Sequence, residues 1–465
     1  MVESKRIVKI VFFALILDLL AFTIPLPLFP RLTAWYLKLD SSSTSLLSQL
    51  LFLSRKWRSI LLSYNGSESI SDNGNKQWDI VLLGGLMGSL FSFCQCIISP
   101  WLGRLSDKYG RKKILLATML GNILSAVIWI QSTSFASFLL SRLVGGLSEG
   151  NVQLSTAIIS DVTTSSNRSR SLALVGIAFS ICFTLGPSLG AYFASQPVPP
   201  SLYSSENKLN IYAVPALISL VLLVIETLYL AARLPETKGW SKPTEEATST
   251  KEEPESSQAA LTVEQKLTKL RNVGTLHGLF LLFFSGAEFT LTFLSYDLFS
   301  ATNAENGRLL SYIGVLSALL QARHVRPSLT RLGELRLSSY GILACIIALS
   351  LLATLPYLTS SSVSSTTILY IAATCLSYTS ATVVTGLTAS AASLVDDSNP
   401  KLQRGKALGT FRSRGQLGRA IGPLLASSLY WVKGPTIAYS TLAGCLSLVY
   451  LLARSQATNT RKKIE

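Results

Sequence analysis

The stretch that decides the fold reads Gly103-Arg104-Leu105-Ser106-Asp107-Lys108-Tyr109-Gly110-Arg111-Lys112-Lys113. It lies between two long apolar segments, near residues 79–102 and 114–131. A helix that spans a bilayer needs about 20 apolar residues, and both segments approach or exceed that length. One carboxylate and five cations are therefore confined to a short turn between two spanning segments. The pattern predicts a charged hairpin at a membrane surface.

The composition of the 465 residues independently indicates a membrane protein. Hydrophobic residues make up 49% and charged residues 14%, and the mean hydropathy is +0.42. Soluble domains usually carry about 25% charged residues. The net charge of +16 is compatible with a nucleic-acid partner, but the cations lie mostly in short segments between apolar runs. Membrane topology explains such a distribution, so no nucleic-acid partner is expected.

The apolar runs predict an all-α membrane protein with twelve spanning helices. They lie near residues 9–29, 79–102, 114–131, 136–160, 171–194, 211–233, 274–298, 307–323, 337–356, 366–394, 405–431 and 435–453. A segment rich in Glu, Ser, Thr and Lys, 234–273, cannot bury enough apolar area to fold and is predicted to be a flexible linker. It separates an N-terminal six-helix bundle, 1–233, from a C-terminal one, 274–465. A short amphipathic helix is expected at the end of the linker.

The distribution of the 41 lysines and arginines predicts the orientation. Most of them fall in segments on the same side as the N-terminus, which the positive-inside rule places in the cytoplasm. Twelve helices then leave both termini and the linker in the cytoplasm. The long first loop, 30–78, is external; its apolar residues between 46 and 61 predict an interfacial helix, and residues 63–76 are expected to be disordered. Asn65 begins the sequon Asn-Gly-Ser and is a predicted glycosylation site.

Residues with catalytic or metal-binding chemistry are scarce. The six cysteines all fall in predicted spans, where they serve apolar packing better than disulfides. Two histidines are too few for a histidine-based metal centre, and no phosphate-cradling loop or nucleophile elbow is present in the sequence. We therefore expect no metal, no cofactor and no enzymatic activity.

The charged turn resembles the loop between helices 2 and 3 of the major facilitator superfamily, whose pattern is G-x-x-x-D-[RK]-x-G-R-[KR]. Gly103, Asp107, Lys108, Gly110 and Arg111 stand at its defining positions. The resemblance implies two pseudo-symmetric six-helix bundles that transport by alternating access, with these five residues at the gate.

The corresponding turn of the second half, 321–334, departs from that pattern. It lacks both the leading glycine and the Asp. This difference predicts asymmetric gating, in which Asp107 has the specific role.

Three ionisable residues are candidates for proton coupling. Asp18 lies near the middle of helix 1, where an ionised carboxylate is costly and usually faces a cavity or a partner. The stretch that it opens resembles a signature of 12-helix drug:proton antiporters, and Asp18 is a plausible proton carrier; a structural carboxylate is the alternative. In helix 4, Arg142 and Glu149 are seven residues apart and would share a helical face. Arg142 opens a segment resembling the family's R-x-x-x-G signature for proton coupling; a structural ion pair is the alternative.

Two other acidic residues lie in predicted spans. Glu288 in helix 7 is flanked by small and aromatic residues and is a substrate-cavity candidate. Glu226 lies in helix 6, which is peripheral in this superfamily, and is interpreted as structural.

Helix 5 carries Gly186, Pro187 and Gly190, which resemble the G-P-x-x-G signature of antiporters. Gly422 and Pro423 repeat the Gly-Pro pair in helix 11, the equivalent helix of the second half. Proline kinks a helix and glycine permits close helix approach, so these residues are predicted to shape the cavity. Gly-Pro kinks without a role in coupling are the alternative.

Helix 1, residues 283–294 and residues 411–414 together resemble the tetracycline-transporter-like branch of the family. The resemblance implies efflux of an amphipathic organic ion. We therefore predict a monomeric secondary transporter that exchanges an amphipathic organic ion or drug for protons, in the plasma membrane or an endomembrane such as the vacuole or a secretory compartment. A facilitator or proton symporter for a nutrient or metabolite, and a non-transporting scaffold or receptor on the same fold, are the alternatives.

Overall fold

The computed structural model describes residues 2–25, 28, 32, 35–37, 39, 45–63, 72–194, 209–240, 262–358 and 362–461. All regular structure in these residues is helical. The helices are α1 (Val2–Thr23), α2 (Leu46–Ser63), α3 (Asp72–Tyr109), α4 (Arg111–Ile130), α5 (Phe135–Ser148), α6 (Asn151–Val162), α7 (Ser165–Ala194), α8 (Ala213–Arg233), α9 (Val263–Phe299), α10 (Asn303–Leu320), α11 (Arg326–Leu332), α12 (Glu334–Thr354), α13 (Ser362–Ser393) and α14 (Arg404–Arg461).

The described helices account for twelve membrane crossings. Eight of the helices are each long and apolar enough to span a bilayer. One of the eight, α14, makes two crossings, because Gly434 has a φ of 84° and divides it into the limbs 404–433 and 435–461. The other crossings are α1, the consecutive pair α5 and α6, and the pair α10 and α11. We call the end of the bundle at which α3 turns into α4 the Asp107 end.

Helix 4, predicted to be continuous over residues 136–160, is broken. Glu149 has extended backbone angles (φ −72°, ψ 98°) and ends α5, and α6 begins two residues later at Asn151. Gly150 occupies the break, and a Cβ atom there would lie 3.0 Å from Leu102 and 3.1 Å from Thr118. A side chain at Gly150 would therefore require the side chains of Leu102 and Thr118 to shift.

Helix 8 extends beyond its predicted end. The π-helical turn Gln321–Val325 joins α10 to α11, so helical structure continues to Leu332. The chain then reverses at Gly333, whose φ is 82°. The turn predicted over 321–334 is in fact only one residue wide.

The linker and the first loop are both shorter than predicted. Residues 234–240 pack onto the first half, with Leu234 and Thr237 each 1% exposed. The second half begins at Thr262, which caps α9 in a reciprocal capping box with Gln265. Only 241–261 of the predicted linker lie outside the described residues. In the first loop, α2 coincides with the predicted interfacial helix and α3 already begins at Asp72, inside the stretch expected to be disordered.

An ion pair joins the first turns of α9 to another segment of the second half. The Nζ atom of Lys266 lies 2.8 Å from Oδ2 of Asp396, in the segment between α13 and α14. This contact, together with the hydroxyl of Ser398, lowers the pKa of Asp396 to about 2. The predicted short amphipathic helix is therefore the first part of α9 and not a separate element.

The halves α1–α8 and α9–α14 share one interior. The largest cluster of buried apolar side chains includes residues of both halves, from Ile7 to Ala453. The first limb of α14 packs on α9 within its own half and on α3 across the interface. The contacts between α3 and α14 therefore determine how closely the halves approach at the Asp107 end.

Candidate functional site

The charged turn is built on a backbone that only glycine adopts readily. Gly110 has φ 106° and ψ 154° and separates α3 from α4. Non-glycine residues are strained in this region. The reversal places Asp107 in the last turn of α3 beside Arg111 in the first turn of α4, with Nη1 of Arg111 2.7 Å from Oδ1 of Asp107.

Asp107 connects the two halves. Its Oδ1 accepts a hydrogen bond from the amide of Gly405 at 2.9 Å, and its Oδ2 accepts one from the amide of Lys406 at 2.7 Å. Both amides lie in the first turn of α14, where N–H groups lack partners within the helix and the helix dipole attracts an anion. The carboxylate of the first half therefore caps a helix of the second half.

Asp161, at the end of α6, extends this contact into an ion-pair network. Its Oδ2 accepts from Nε of Arg111 at 3.0 Å, and its Oδ1 accepts from Nη1 of Arg404 at 2.7 Å. Arg404 also lies 2.9 Å from Asp397. Two acids and one arginine of the first half thus meet one arginine and one acid of the second. Asp161 and Arg404 were absent from the sequence-based site because they are far from the motif in the chain.

The absence of side chains at two positions makes this contact possible. A Cβ atom on Gly103 would collide with the carbonyl oxygen of Gly405. A Cβ atom on Gly405 would in turn collide with the carbonyl oxygen of Gly103 and lie 2.7 Å from Oδ1 of Asp107. Small residues permit such backbone contact between helices. Gly103 therefore lies where the resemblance places it, and Gly405 is its partner.

A second acid, Glu236, fixes the turn from within the first half. Its carboxylate accepts hydrogen bonds from the amides of Arg111 at 2.7 Å and Lys112 at 3.2 Å, the first residues of α4. The ammonium group of Lys238 reaches the carbonyl of Lys108 at 2.8 Å. Glu236 was assigned to the flexible linker, since its partners are more than a hundred residues away.

A second contact between the two halves lies at the turn of the second half. Ser169, in the first turns of α7, donates a hydrogen bond from Oγ to Glu334, the first residue of α12. Arg168 donates to the carbonyl of Ala392 at 3.1 Å. An acid beside a glycine turn again meets the start of a helix of the other half. The second turn thus lacks the aspartate, but Glu334 supplies a carboxylate at this end, and asymmetric gating stays a prediction.

The candidate proton-coupling carboxylates lie in the interior of the first half. Asp18 is 3% exposed and accepts a hydrogen bond from Nδ2 of Asn151 at 2.5 Å. Glu149 is 8% exposed and accepts one from Nδ2 of Asn122 at 3.2 Å. Asp18, Glu149 and Asn122 line a common cavity of about 50 Å³. That the side-chain amides of Asn151 and Asn122 bind these carboxylates can be seen only in the folded chain.

Arg142 lines the same cavity but does not form the ion pair with Glu149 that was the alternative to a coupling role. Its guanidinium carbon lies 5.8 Å from the ring centroids of Phe91 and Trp129 and 5.6 Å from that of Phe138. Within the described residues it has no ion pair shorter than 4.0 Å. Cation–π attraction to these rings therefore stabilises the guanidinium, and the alternative of a structural ion pair with Glu149 is not seen.

The cation that acts on the two carboxylates comes from the other half. Arg412, in the first limb of α14, exerts an electrostatic attraction on Glu149 and a weaker one on Asp18, although it forms no ion pair shorter than 4.0 Å within the described residues. It is half-buried. The sequence offered one sign of this role, which is that Arg412 lies in a predicted spanning helix. Burying an arginine in the membrane costs as much free energy as burying an aspartate.

Further charges continue from Arg412 into the second half. Arg419, two turns along α14, acts on Glu288, and the charges of Arg419 and Arg412 repel each other. His277 stacks on Phe411 with ring centroids 4.4 Å apart. Glu288 is exposed in the midst of its helix. Its position beside Arg419 is consistent with a substrate-binding role.

The glycine–proline segments lie against the first helix of their own half. Cβ atoms on Gly186 and Gly190 would collide with Thr23 and Ile24 at the end of α1, whereas one on Gly422 would collide with the carbonyl of Leu282 in α9. Pro187 and Pro423 lie inside α7 and α14. The two Gly-Pro segments therefore occupy equivalent positions in the two halves: α7 packs on α1 in the first half, and α14 packs on α9 in the second.

Two predicted features carry less structural information. Asn65 lies outside the described residues. Lys108 places its ammonium group 5.0 Å from the ring centroid of Tyr109, at the surface, and its side chain makes no ion pair shorter than 4.0 Å in the described part of the chain.

Comparison with known proteins agrees with this architecture. Residues 11–423 match the profile of the Major Facilitator Superfamily. Major facilitator superfamily domain-containing protein 10 of Mus musculus is 31% identical over 464 residues, covering 97% of this chain and 92% of the mouse protein. The crystal structure of the human organic anion transporter MFSD10 (TETRAN) superposes with a TM-score of 0.76 at 30% identity, covering 97% of this chain and 99% of the human one.

Drug-resistance transporters match only part of the chain. The class H tetracycline resistance protein of Pasteurella multocida is 37% identical over 106 residues, which is 23% of this chain and 26% of that protein. The full-length match and the paired bundles agree on one family. This chain is a secondary transporter of the major facilitator superfamily, a family of transporters and not of enzymes, and is similar over nearly its whole length to the domain-containing protein 10 branch.

Proposed function

We propose that this chain carries an amphipathic organic anion across a membrane together with a proton, by alternating access. One observation carries the proposal: the guanidinium of Arg412, in the second half, interacts with Glu149 and Asp18 of the first half. The similar human protein is named an organic anion transporter, which supports an anionic substrate.

The position of Arg412 predicts the sense of coupling. A substrate carboxylate or sulfonate that binds this guanidinium removes the cation that balances Glu149 and Asp18. Unbalanced buried carboxylates are costly, so they take up protons when the substrate binds. Anion and proton then bind together. This arrangement favours cotransport over the exchange that the antiporter-like signatures suggested.

Two further residues complete the proposed substrate site. Arg419 supplies a second cation along the same helix, and Glu288 beside it tunes which anions bind. The fixed arginines orient the acidic group of the substrate, while aromatic side chains of the interface contact its apolar part. An amphipathic anion satisfies both requirements.

The distribution of cations supports a cytoplasmic Asp107 end, with both termini in the cytoplasm. The Asp107 network then closes the cytoplasmic side of a monomer in the plasma membrane or an endomembrane such as the vacuole or a secretory compartment. In an acidic compartment, proton cotransport would carry the anion from the lumen to the cytoplasm.

A second candidate is exchange of a proton for a drug-like cation. The packing of Gly186 and Gly190 directly on the end of α1, a few residues beyond Asp18, favours it, because movement of α7 would act on the helix that holds this carboxylate. A cationic substrate would then displace the proton from Asp18 and Glu149. The partial match to tetracycline resistance proteins is compatible with this mechanism.

Proteoliposomes distinguish the two mechanisms. We expect uptake of radiolabelled p-aminohippurate, an organic anion, to rise when the external solution is acidic. Arg412→Gln should abolish this uptake, whereas the control Arg323→Gln, at an exposed cation of the second half, should preserve it. Acid-inhibited uptake of p-aminohippurate would reject cotransport, and uptake of tetraethylammonium driven by an outward proton gradient would instead establish exchange of a cation.

A further inference from the structure

We propose that Glu226 is a second proton-binding residue of the transport site, joined to Asp18 through the side-chain amide of Asn151. The inference rests on the proposed function, in which proton uptake accompanies substrate binding. It adds Glu226 to the proposed proton-binding residues, although Glu226 lies in a helix that is peripheral in this superfamily and belongs to no sequence motif.

The geometry places one amide between two carboxyls. Asn151, at the start of α6, donates from Nδ2 to Oδ1 of Asp18 at 2.5 Å and lies 3.4 Å from Oε1 of Glu226. Asp18 belongs to α1 and Glu226 to α8, and both are almost completely buried, at 3% and 1% exposure. Three separate helices therefore converge on this amide.

Within the described residues, two atoms of this group have no hydrogen-bond partner. They are Oε2 of Glu226 and Oδ1 of Asn151, both buried. When Glu226 is ionised, both atoms are acceptors and neither can satisfy the other. A proton on Oε2 makes it a donor, and the carboxyl and amide can then form two reciprocal hydrogen bonds. Because an unsatisfied buried polar atom is costly, one proton stabilises both groups.

The charges around Glu226 also favour a bound proton. Asp18 from α1 and Glu149 from the junction of α5 and α6 are the charged groups that act on it. Arg412 acts on those two carboxyls from the other half.

Arg142, from α5, lines the cavity that Asp18 and Glu149 share, and its guanidinium lies among three aromatic rings. From α4, Sδ of Met119 lies 2.9 Å from the Asn151 amide, and from α7, Cys182 lies beside Asp18. Within the described residues, Arg412 is the cation that acts on Asp18 and Glu149, and repulsion among the three carboxyls favours a proton on at least one of them.

The described residues contain no cluster of His, Cys, Asp and Glu arranged to hold a metal ion. The unpartnered oxygens of Glu226 and Asn151 instead indicate a proton as the ligand. We infer that the Asp18–Glu226 pair holds one proton while Arg412 balances the charge of the carboxylates. When Arg412 binds substrate instead, the pair takes up a second proton.

Infrared difference spectroscopy of the purified protein in nanodiscs, titrated with acid and base, tests the inference without any substrate. We expect wild-type protein to show the carbonyl band of a buried protonated carboxyl, and Glu226→Gln to lose that band. In Asp18→Asn the band should remain and should disappear at a pH lower by roughly one unit, the scale on which neighbouring carboxyls influence each other.

Two results would overturn the inference: a spectrum that Glu226→Gln leaves unchanged, or a Glu226 band whose titration is the same in Asp18→Asn. Should Glu226→Gln fail to fold, Glu226→Asp keeps the carboxyl and should keep the band with a displaced titration. The readout is independent of transport, so a failed p-aminohippurate assay would reject the proposed function and leave the Glu226 result standing.

Discussion

At the scale of single residues, the role of an intramembrane arginine depends on where its charge is balanced. Arg142 and Arg412 both lie in spanning segments. Arg142 is held by three aromatic rings of its own half, so movement of the halves leaves its surroundings intact. Arg412 instead acts on carboxylates across the interface. When the halves separate, it must lose or exchange these partners, which suits it for coupling.

Asp18→Asn tests the proton carrier. Asparagine has nearly the same shape and its carbonyl can still accept from Asn151, so we expect the variant to fold and reach normal abundance. It cannot bind and release a proton, and the acid-stimulated part of p-aminohippurate uptake should fall close to zero. Substrate exchange at equal pH on both sides should persist. Wild-type acceleration by acid in this variant would remove Asp18 from the mechanism.

At the scale of elements, two glycine turns of the same geometry differ in what surrounds them. Gly110 and Gly333 have φ values of 106° and 82°, and each joins two membrane helices at the Asp107 end. A Cβ atom on Gly110 would also collide with the carboxylate of Glu236, whereas one on Gly333 would meet nothing within 4 Å. The first turn is therefore constrained by its neighbours as well as by its own backbone.

Alanine substitutions at the two turns separate these effects. Gly333→Ala should cost about 1–3 kcal/mol through backbone strain alone. Gly110→Ala should lower the thermal unfolding temperature in detergent further, because Glu236 must also leave the amides of α4. Gly307→Ala, in a helix with open space around it, serves as the control and should not destabilise. Equal losses at Gly110 and Gly333 would show that the Glu236 contact adds nothing.

At the scale of the whole molecule, the network at the Asp107 end holds two rigid halves together. Asp107 caps α14, and Asp161 lies between Arg111 of the first half and Arg404 of the second. These contacts join the two halves at the Asp107 end. Alternating access requires that they break, so their strength contributes to the equilibrium between the two conformations.

Asp107→Asn should weaken this closure by about 1–3 kcal/mol, the scale of a hydrogen bond to a charged group. The population open at the Asp107 end would then rise roughly 5- to 150-fold. Maleimide labelling of Cys96, which lies behind the gate beside Ser413 of α14, measures that population once the other cysteines are replaced.

The matched control for this experiment is Asp396→Asn. It removes an ion pair at the same end that lies within one half, so labelling of Cys96 should not change. Unchanged labelling in Asp107→Asn, together with lost transport, would mean that this carboxylate acts elsewhere, and the gate assignment should be dropped.

The sequence by itself determined the features that depend on neighbouring residues. The apolar runs determine the helices, because burial in a bilayer depends on local composition and length. The charged motif likewise identified the turn at Gly110 and the family, and both are confirmed. The helix 4 break shows the limit of this reasoning. Apolar periodicity continues through Glu149 and Gly150, and only packing against α3 and α4 reveals that the helix ends there.

The tertiary structure alone decided which charges meet. Arg412 lies more than 250 residues from Glu149, and Glu236 looked like part of a polar linker until the amides of α4 were seen beside it. Glu226 appeared peripheral until Asn151 joined it to Asp18. Spacing along the chain identifies partners only within one helix. Electrostatic and hydrogen-bond partners depend on distances in the folded molecule, because these interactions weaken within a few ångströms.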